Sequence, residues 1–155
     1  MKFSHLVDLC EMPLPILDIK GEPLTKLPDG TYTGIGRFNC RVFALDADET
    51  KYHRVDGPAV DCSRGGNIYQ EWWLNGQRHR VGGPAFIQAE HEEWWLNGQR
   101  HRIGGPAFDQ YGHKQWWVEG AKLTEEDYND LMKRLSTLTD DSDRAATIAA
   151  ATMFD

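Results

Sequence analysis

Three histidines occupy equivalent places in the chain: His53, His79 and His101 each open a His-Arg-Val or His-Arg-Ile tripeptide. Imidazole titrates near neutrality and binds metals, so a recurring His suggests acid–base or zinc chemistry. The spacing argues against shared metal binding. If each copy contributes two strands about 4.8 Å apart, equivalent residues in neighbouring copies lie roughly 9 to 10 Å apart. Zinc needs nitrogens at about 2 Å, so these imidazoles would not share one ion. The ordinary reading is a His that hydrogen-bonds its own turn.

The Arg-His-Arg clusters, Arg78-His79-Arg80 and Arg100-His101-Arg102, repeat a basic turn beside paired tryptophans, Trp72/Trp73, Trp94/Trp95 and Trp116/Trp117. Arg beside Trp can track phosphates and stack bases, which would suit a nucleotide, a lipid headgroup or single-stranded nucleic acid. Glu71, Glu90, Glu92 and Glu93 lie close by, and the whole chain carries a formal charge of −7. Local Arg to Glu pairing across strands is therefore expected, and nucleic acid is not. Asp109, Tyr111 and His113 gather where the duplication ends and are the candidates for an enzyme site at an array end. The acidic strings Asp46-Ala47-Asp48-Glu49 and Asp140-Asp141-Ser142-Asp143 lack the spaced ligands of a calcium loop and read as solvated turns and helix caps. No phosphate loop, nucleophile elbow, HExxH or CxxC motif is present. The sequence implies no cofactor and no metal.

These residues are positioned by an internal repeat. Residues 71 to 86, EWWLNGQRHRVGGPAF, recur as 93 to 108 with fifteen of sixteen positions matching. A third copy follows at the same 22-residue offset from Gln115, and a leading half-copy begins at His53. In each unit the Glu-Trp-Trp-Leu run favours a strand, and Asn-Gly supplies the positive φ that a two-residue type I′ turn needs. Gly-Gly-Pro then interrupts the ladder before another short strand. Two short strands per unit predict a meandering, twisted antiparallel sheet. Consecutive Trp residues must point to opposite faces, so one of each pair needs a cover.

The flanks differ. Residues 1–50 form an N-terminal capping segment, Pro-rich to residue 30, with a strand predicted over 37–45 that places Phe38, Cys40, Val42 and Ala44 on one face. Residues 51–123 are the array. Residues 124–155 are a C-terminal cap: a helix beginning at Thr124, with Asp127 completing a capping box and Leu123 and Tyr128 at staple positions, then an Ala-rich segment from about Ser142 to Thr152. The fold class is mainly β with a C-terminal helix, α+β, capped at both ends.

Charge follows the same division. Residues 1–50 carry five Lys/Arg against eight Asp/Glu, 51–123 nine against eight, and 124–155 three against eight. The array is near neutral and the acidity belongs to the ends. Cys10, Cys40 and Cys62 are an odd set without metal spacing, which fits reduced thiols in a cytoplasmic protein. No apolar run approaches the roughly 20 residues of a membrane span, and Asp8 and Glu11 interrupt any signal-peptide core, so a membrane is not an expected partner.

The string Trp73-Leu74-Asn75-Gly76-Gln77-Arg78-His79, repeated from Trp95 to His101 and followed by Gly82 and Gly104, resembles MORN and MORN-like repeats over about 70 of the 155 residues. The His-Arg-x-x-Gly-Pro-Ala form looks like that of bacterial and bacteriophage proteins. Arg80 and Arg102 depart from the usual glycine after His. The resemblance implies a scaffold or protein-binding sheet, and a bacteriophage inhibitor or adaptor with an anti-defence role against a host or bacterial immune protein, in the host cytoplasm. The expected partner-binding residues are Trp73, Trp95, Trp117, Arg78, Arg80, Arg100 and Arg102, since Trp and Arg dominate interface hot spots. Open sheet edges also allow self-association.

Overall fold

The protein is described here by a computed structural model, over residues 24–35, 39–45 and 51–153. Its strands are β1 Thr25–Lys26, β2 Tyr32–Ile35, β3 Arg41–Ala44, β4 Val60–Asp61, β5 Tyr69–Glu71, β6 Trp73–Leu74, β7 Gln77–Arg78, β8 Phe86–Gln88, β9 His91–Glu93, β10 Trp95–Leu96, β11 Gln99–Arg100, β12 Phe108–Gln110, β13 His113–Val118 and β14 Ala121–Leu123. Two helices follow, α1 Glu125–Thr137 and α2 Asp141–Thr152. No helix among these residues is long and apolar enough to cross a membrane.

The protein is mainly antiparallel β with a C-terminal helix pair. Ten strands form one meandering sheet in the order β1-β2-β3-β4-β5-β8-β9-β12-β13-β14. The expectation of two strands per unit needs correction: each of the two near-identical units has four. Two lie in the main sheet, and two form a small hairpin, β6-β7 or β10-β11, that branches away from it. The branch point is the first Trp of the pair, whose amide still bonds the main sheet (Trp72 N to Ala85 O, 2.8 Å; Trp94 N to Ala107 O, 2.7 Å). Beyond it the chain turns at Asn75-Gly76 and Asn97-Gly98, with φ of 53° and 77°, and 51° and 78°, as the predicted turn requires. Neighbouring hairpins are stitched together by Gly98 N to Arg78 O at 2.9 Å and Arg80 N to Trp95 O at 3.1 Å.

The half-copy at His53 belongs to a degenerate unit that reaches back to Phe43. Phe43 N bonds Ala59 O at 2.8 Å and Phe43 O accepts from His53 N at 3.1 Å, as Trp72 bonds Ala85 and His79. Phe43 thus stands at the first Trp position. In β3 and the residue just before it, Cys40, Val42 and Ala44 are buried together as the period-2 pattern predicts; Phe38 lies outside the described residues, as do residues 1–23 and the acidic turn 46–50. With Leu24 and Val60 they form an N-terminal core against Tyr32, Tyr52, Tyr69 and Trp73. The reading of the cysteines as reduced is overturned here: Cys40 and Cys62 are joined in a disulfide. They fall opposite each other because the next pair along, Arg41 and Asp61, is in register between β3 and β4.

A second core lies at the other end. Thr124 caps α1 by accepting from Asp127 N at 3.1 Å, and Tyr128, Leu131 and Leu135 bury against Val118 and Trp116. Asp140 caps α2 through Ser142 N and Asp143 N, and Arg144 of α2 donates to the terminal carbonyls Leu135 O and Leu138 O of α1. The helices therefore cover the first-Trp side of the sheet only at its last unit.

Candidate binding surface of the repeat array

Four positions recur as a constellation in successive units: Tyr69, His91 and His113; Glu71, Glu93 and Gln115; Trp73, Trp95 and Trp117; Arg78, Arg100 and Lys122. The acid is the surprise. Glu71 and Glu93 are only 3% and 6% exposed. A carboxylate is tolerated there because every oxygen is engaged. Glu71 accepts from Tyr69 Oη at 2.6 Å, Trp73 Nε1 at 2.8 Å and Arg78 Nη2 at 3.2 Å. Glu93 accepts from Trp95 Nε1 at 2.8 Å and Arg100 Nη2 at 3.1 Å, and His91 Nε2 lies 3.0 Å from its other oxygen. Burial alone would raise the Glu93 carboxyl. The His91 contact, the Arg100 charge and the hydrogen bonds from Trp95 and Arg100 outweigh it and hold the pKa at about 2.

The small hairpins fold their second Trp and their Arg over these acids. Arg78 Cζ lies 5.2 Å from the Trp73 ring centre and 5.6 Å from Trp95; Arg100 lies 5.0 Å from Trp95 and 5.4 Å from Trp117. Lys122 ends the row, 5.8 Å from Trp117. The result is an alternating row Trp73-Arg78-Trp95-Arg100-Trp117-Lys122, half-buried except for the exposed Lys122. Beneath it Tyr69, Phe86, His91, Phe108 and His113 make a second chain of ring contacts, with centroids 4.9 to 6.3 Å apart.

Arg80 and Arg102 do something else. Each folds back over its own turn, donating to Pro84 O or Pro106 O at 3.0 Å and stacking 3.7 or 3.8 Å over Trp72 or Trp94. Arg54 repeats this over Phe43 at 4.0 Å. The second glycine of each turn makes the fold-back possible: a Cβ on Gly83 would stand 2.9 Å from Arg80 Cζ. The first-Trp face is thus capped largely from within the repeat. Five of the expected surface residues, Trp73, Trp95, Trp117, Arg78 and Arg100, converge on one row, while Arg80 and Arg102 lie with the other Trp of each pair.

The histidines hydrogen-bond not their own turn but the next hairpin's. His53 Nδ1 accepts from Asn75 N at 3.0 Å, His79 Nδ1 from Asn97 N at 3.2 Å and His101 Nδ1 from Glu119 N at 3.1 Å. An Nδ1 that accepts is unprotonated, which makes His53 and His101 the Nε2–H tautomer when neutral; His79 Nδ1 also lies 2.9 Å from Asn97 Oδ1, and its contacts do not select a tautomer. Burial lowers the His101 pKa, opposed by the Glu119 charge. Among the described residues no three His, Cys, Asp or Glu side chains converge as a metal site.

At the array end, Tyr111 tips the turn between β12 and β13 and is 71% exposed, and Asp109 accepts from Gly112 N at 3.1 Å. The exposed His113 meets Phe108 in an edge-on ring contact, with Nε2 3.4 Å from Gln115 Nε2. These three residues do not line either of two grooves in the molecule, one between β14, α1 and α2, the other between the His53 and His79 turns. Comparison with protein-family models, characterised proteins and solved structures finds no match for this chain.

Proposed function

We propose that this chain is a non-enzymatic protein-binding module of the MORN-like repeat type, and that the Trp-Arg row is the surface it presents. The observation that carries the reading is the support beneath that row. Glu71 and Glu93 fix Trp73, Trp95, Arg78 and Arg100 in place, so rings and guanidiniums lose little conformational freedom when a partner lands on them. The same support weakens the phosphate-binding alternative, because one donor of Arg78 and two of Arg100 already serve carboxylates and the ring faces already carry guanidiniums. By analogy with the repeat type alone, the module is a bacteriophage inhibitor or adaptor acting on a host or bacterial immune protein in the cytoplasm.

The surface is best tested at its Lys122 end, where position 115 is Gln and no buried acid is orphaned. Trp117→Ala with Lys122→Glu is expected to leave the circular dichroism spectrum unchanged and to cut partner capture from host lysate at least tenfold. A folded variant that captures as much as the parent sinks the assignment.

A further inference from the structure

Three junctions join successive hairpins of the array, and each uses the same pair of backbone bonds. Arg54 N donates to Trp73 O at 2.9 Å while Tyr52 O accepts from Gly76 N at 3.0 Å. Arg80 N and Arg78 O engage Trp95 O and Gly98 N at 3.1 and 2.9 Å, and Arg102 N and Arg100 O engage Trp117 O and Gly120 N at 3.1 and 3.0 Å. Every junction is antiparallel. Its incoming strand supplies one carbonyl and, three residues on, one amide.

β14 carries a fourth such edge. Lys122 pairs with Trp117 across its hairpin as Arg100 pairs with Trp95, so its carbonyl points away from β13. Thr124, at φ −67° and ψ 159°, keeps the backbone extended as far as the helix cap. Lys122 O and the Thr124 amide have no partner among the described residues, while the Thr124 hydroxyl is engaged with Asp127. α1 turns away to the first-Trp side, where its Tyr128 hydroxyl accepts from Gly104 N and Gly105 N at 2.7 and 2.8 Å. The side-chain row is open at the same place. Arg78 and Arg100 each lie near two Trp rings, at 5.0 to 5.6 Å, whereas among the described residues Lys122 has Trp117 alone, at 5.8 Å. A groove of about 480 Å³ adjoins this edge, lined by Leu123, Leu131 and Ala151 and also by Asp127, Asp130 and Arg134. The two carboxylates balance Arg134 and Lys122, so no net charge selects an ion there.

We propose that this edge receives a β-strand of another polypeptide, antiparallel to β14, whose backbone engages Lys122 O and the Thr124 amide and whose aromatic side chain lies on the open side of the Lys122 ammonium. The strand carries an aromatic residue followed three positions later by glycine, because that is what occupies each interior edge: Trp73 to Gly76, Trp95 to Gly98 and Trp117 to Gly120. A second copy of this chain does not fit, since all three of its own Trp-x-x-Gly hairpins already sit on an edge. Open strand edges are templates for added strands, with backbone bonds giving affinity and alternate side chains giving specificity. The inference rests on the reading of the Trp-Arg row as a protein-binding surface and adds how the partner is held.

The probe is a cyclic peptide that copies residues 94–101, WWLNGQRH, closed by a second two-residue turn so that it is a hairpin before it binds. Titrated into the isotope-labelled full chain, it should shift the Lys122 and Thr124 amides and slow hydrogen exchange at Thr124 about tenfold. An ester in place of the peptide's glycine N–H removes the donor to Lys122 O and should weaken binding roughly tenfold. Alanine in place of its second tryptophan should weaken it by about as much. Both controls leave the protein untouched. Shifts confined to other residues, no shift at millimolar peptide, or equal binding of the three peptides would overturn the proposal. Shifts at Lys122 and Thr124 that grow with protein concentration alone would also overturn it, giving the edge to a second copy. Peptide failure with partner capture still lost in the Trp117→Ala, Lys122→Glu variant removes the strand and leaves the row; peptide binding with capture unchanged does the reverse.

Discussion

A charged side chain buried in a sheet is informative because so little can hold it there. Glu93 is retained by an imidazole, an indole N–H and a guanidinium, and removing its charge leaves Arg100 without its partner. Glu93→Gln is expected to cost on the order of 3 kcal/mol in denaturant unfolding at pH 7. Adding Arg100→Lys should recover part of that, since Gln115 and Lys122 show that this pair is compatible with the fold. The pH dependence has a definite sign. The folded carboxyl is held at about 2, below its ordinary value near 4.5, so its contribution is full above 4.5 and lost as pH falls from there towards 2. His101 also has a lowered pKa, but its neutral form is the one favoured in the fold. Its contribution is full above about 6.5 and declines as pH falls below that value, until the folded-state pKa is passed. Unfolding measured at pH 8, 5.5 and 3 should therefore show two successive losses, with the upper one absent in His101→Ala. None of this burial was legible from a Glu in an alternating pattern, because a charged residue reads as solvent-facing. What could have signalled it is the invariant distance between copies: Glu, Trp two residues on, Arg seven residues on, with Gln and Lys replacing the acid and the Arg together in the last unit.

Among the elements, the turns were read correctly because their chemistry is local. Asn-Gly needs only its own backbone to specify a reversal, and the Thr124 cap needs only the three residues after it. The branching of each unit was not legible, since a run of Glu-Trp-Trp-Leu looks like one strand until the sheet it pairs with is known. The roles of the two glycines in Gly-Gly-Pro also separate only in three dimensions. Gly83→Ala should displace Arg80 from Trp72 and lose its bond to Pro84, costing about 1 to 3 kcal/mol, whereas Ala at the turn apex of Gly82, where φ is 75°, should cost only about 1 kcal/mol of backbone strain. A thermal-melt comparison of the two variants checks the order; Gly82→Ala melting lower than Gly83→Ala would contradict the fold-back. The disulfide escaped notice because its two cysteines belong to a unit too degenerate to be seen as a repeat, with Phe43 in place of Trp.

For the whole molecule, the ends are where the repeating chemistry changes. Val42 takes the acid position at one end and Gln115 at the other, so among the described residues the buried charges lie in the interior units, and an apolar core closes each flank. Among the described residues, the hydrogen bonds that join one repeat unit to another run between neighbouring units. Inserting a further copy of His79–Arg100 directly after Arg100 should therefore give a folded protein with one more hairpin. Its stability should rise by a nearly constant increment per copy, measured by denaturant titration and gel filtration. An insertion that aggregates or melts lower than the parent would show that the units depend on long-range contacts.

The interlock from each histidine to the following hairpin has a consequence for how the chain finds its fold. Because residues 71–86 and 93–108 are almost the same string, His53 has two nearly indistinguishable hairpins it could engage, one of them 22 residues too late. A folding chain that chose the later one would skip a whole rung and leave it looped out. The long β4-β5 arm beyond Asp61 and the Tyr128 hydroxyl in its glycine turn are landmarks that, among the described residues, occur once each, at opposite ends of the identical stretch. They tell the chain where to start counting and where to stop.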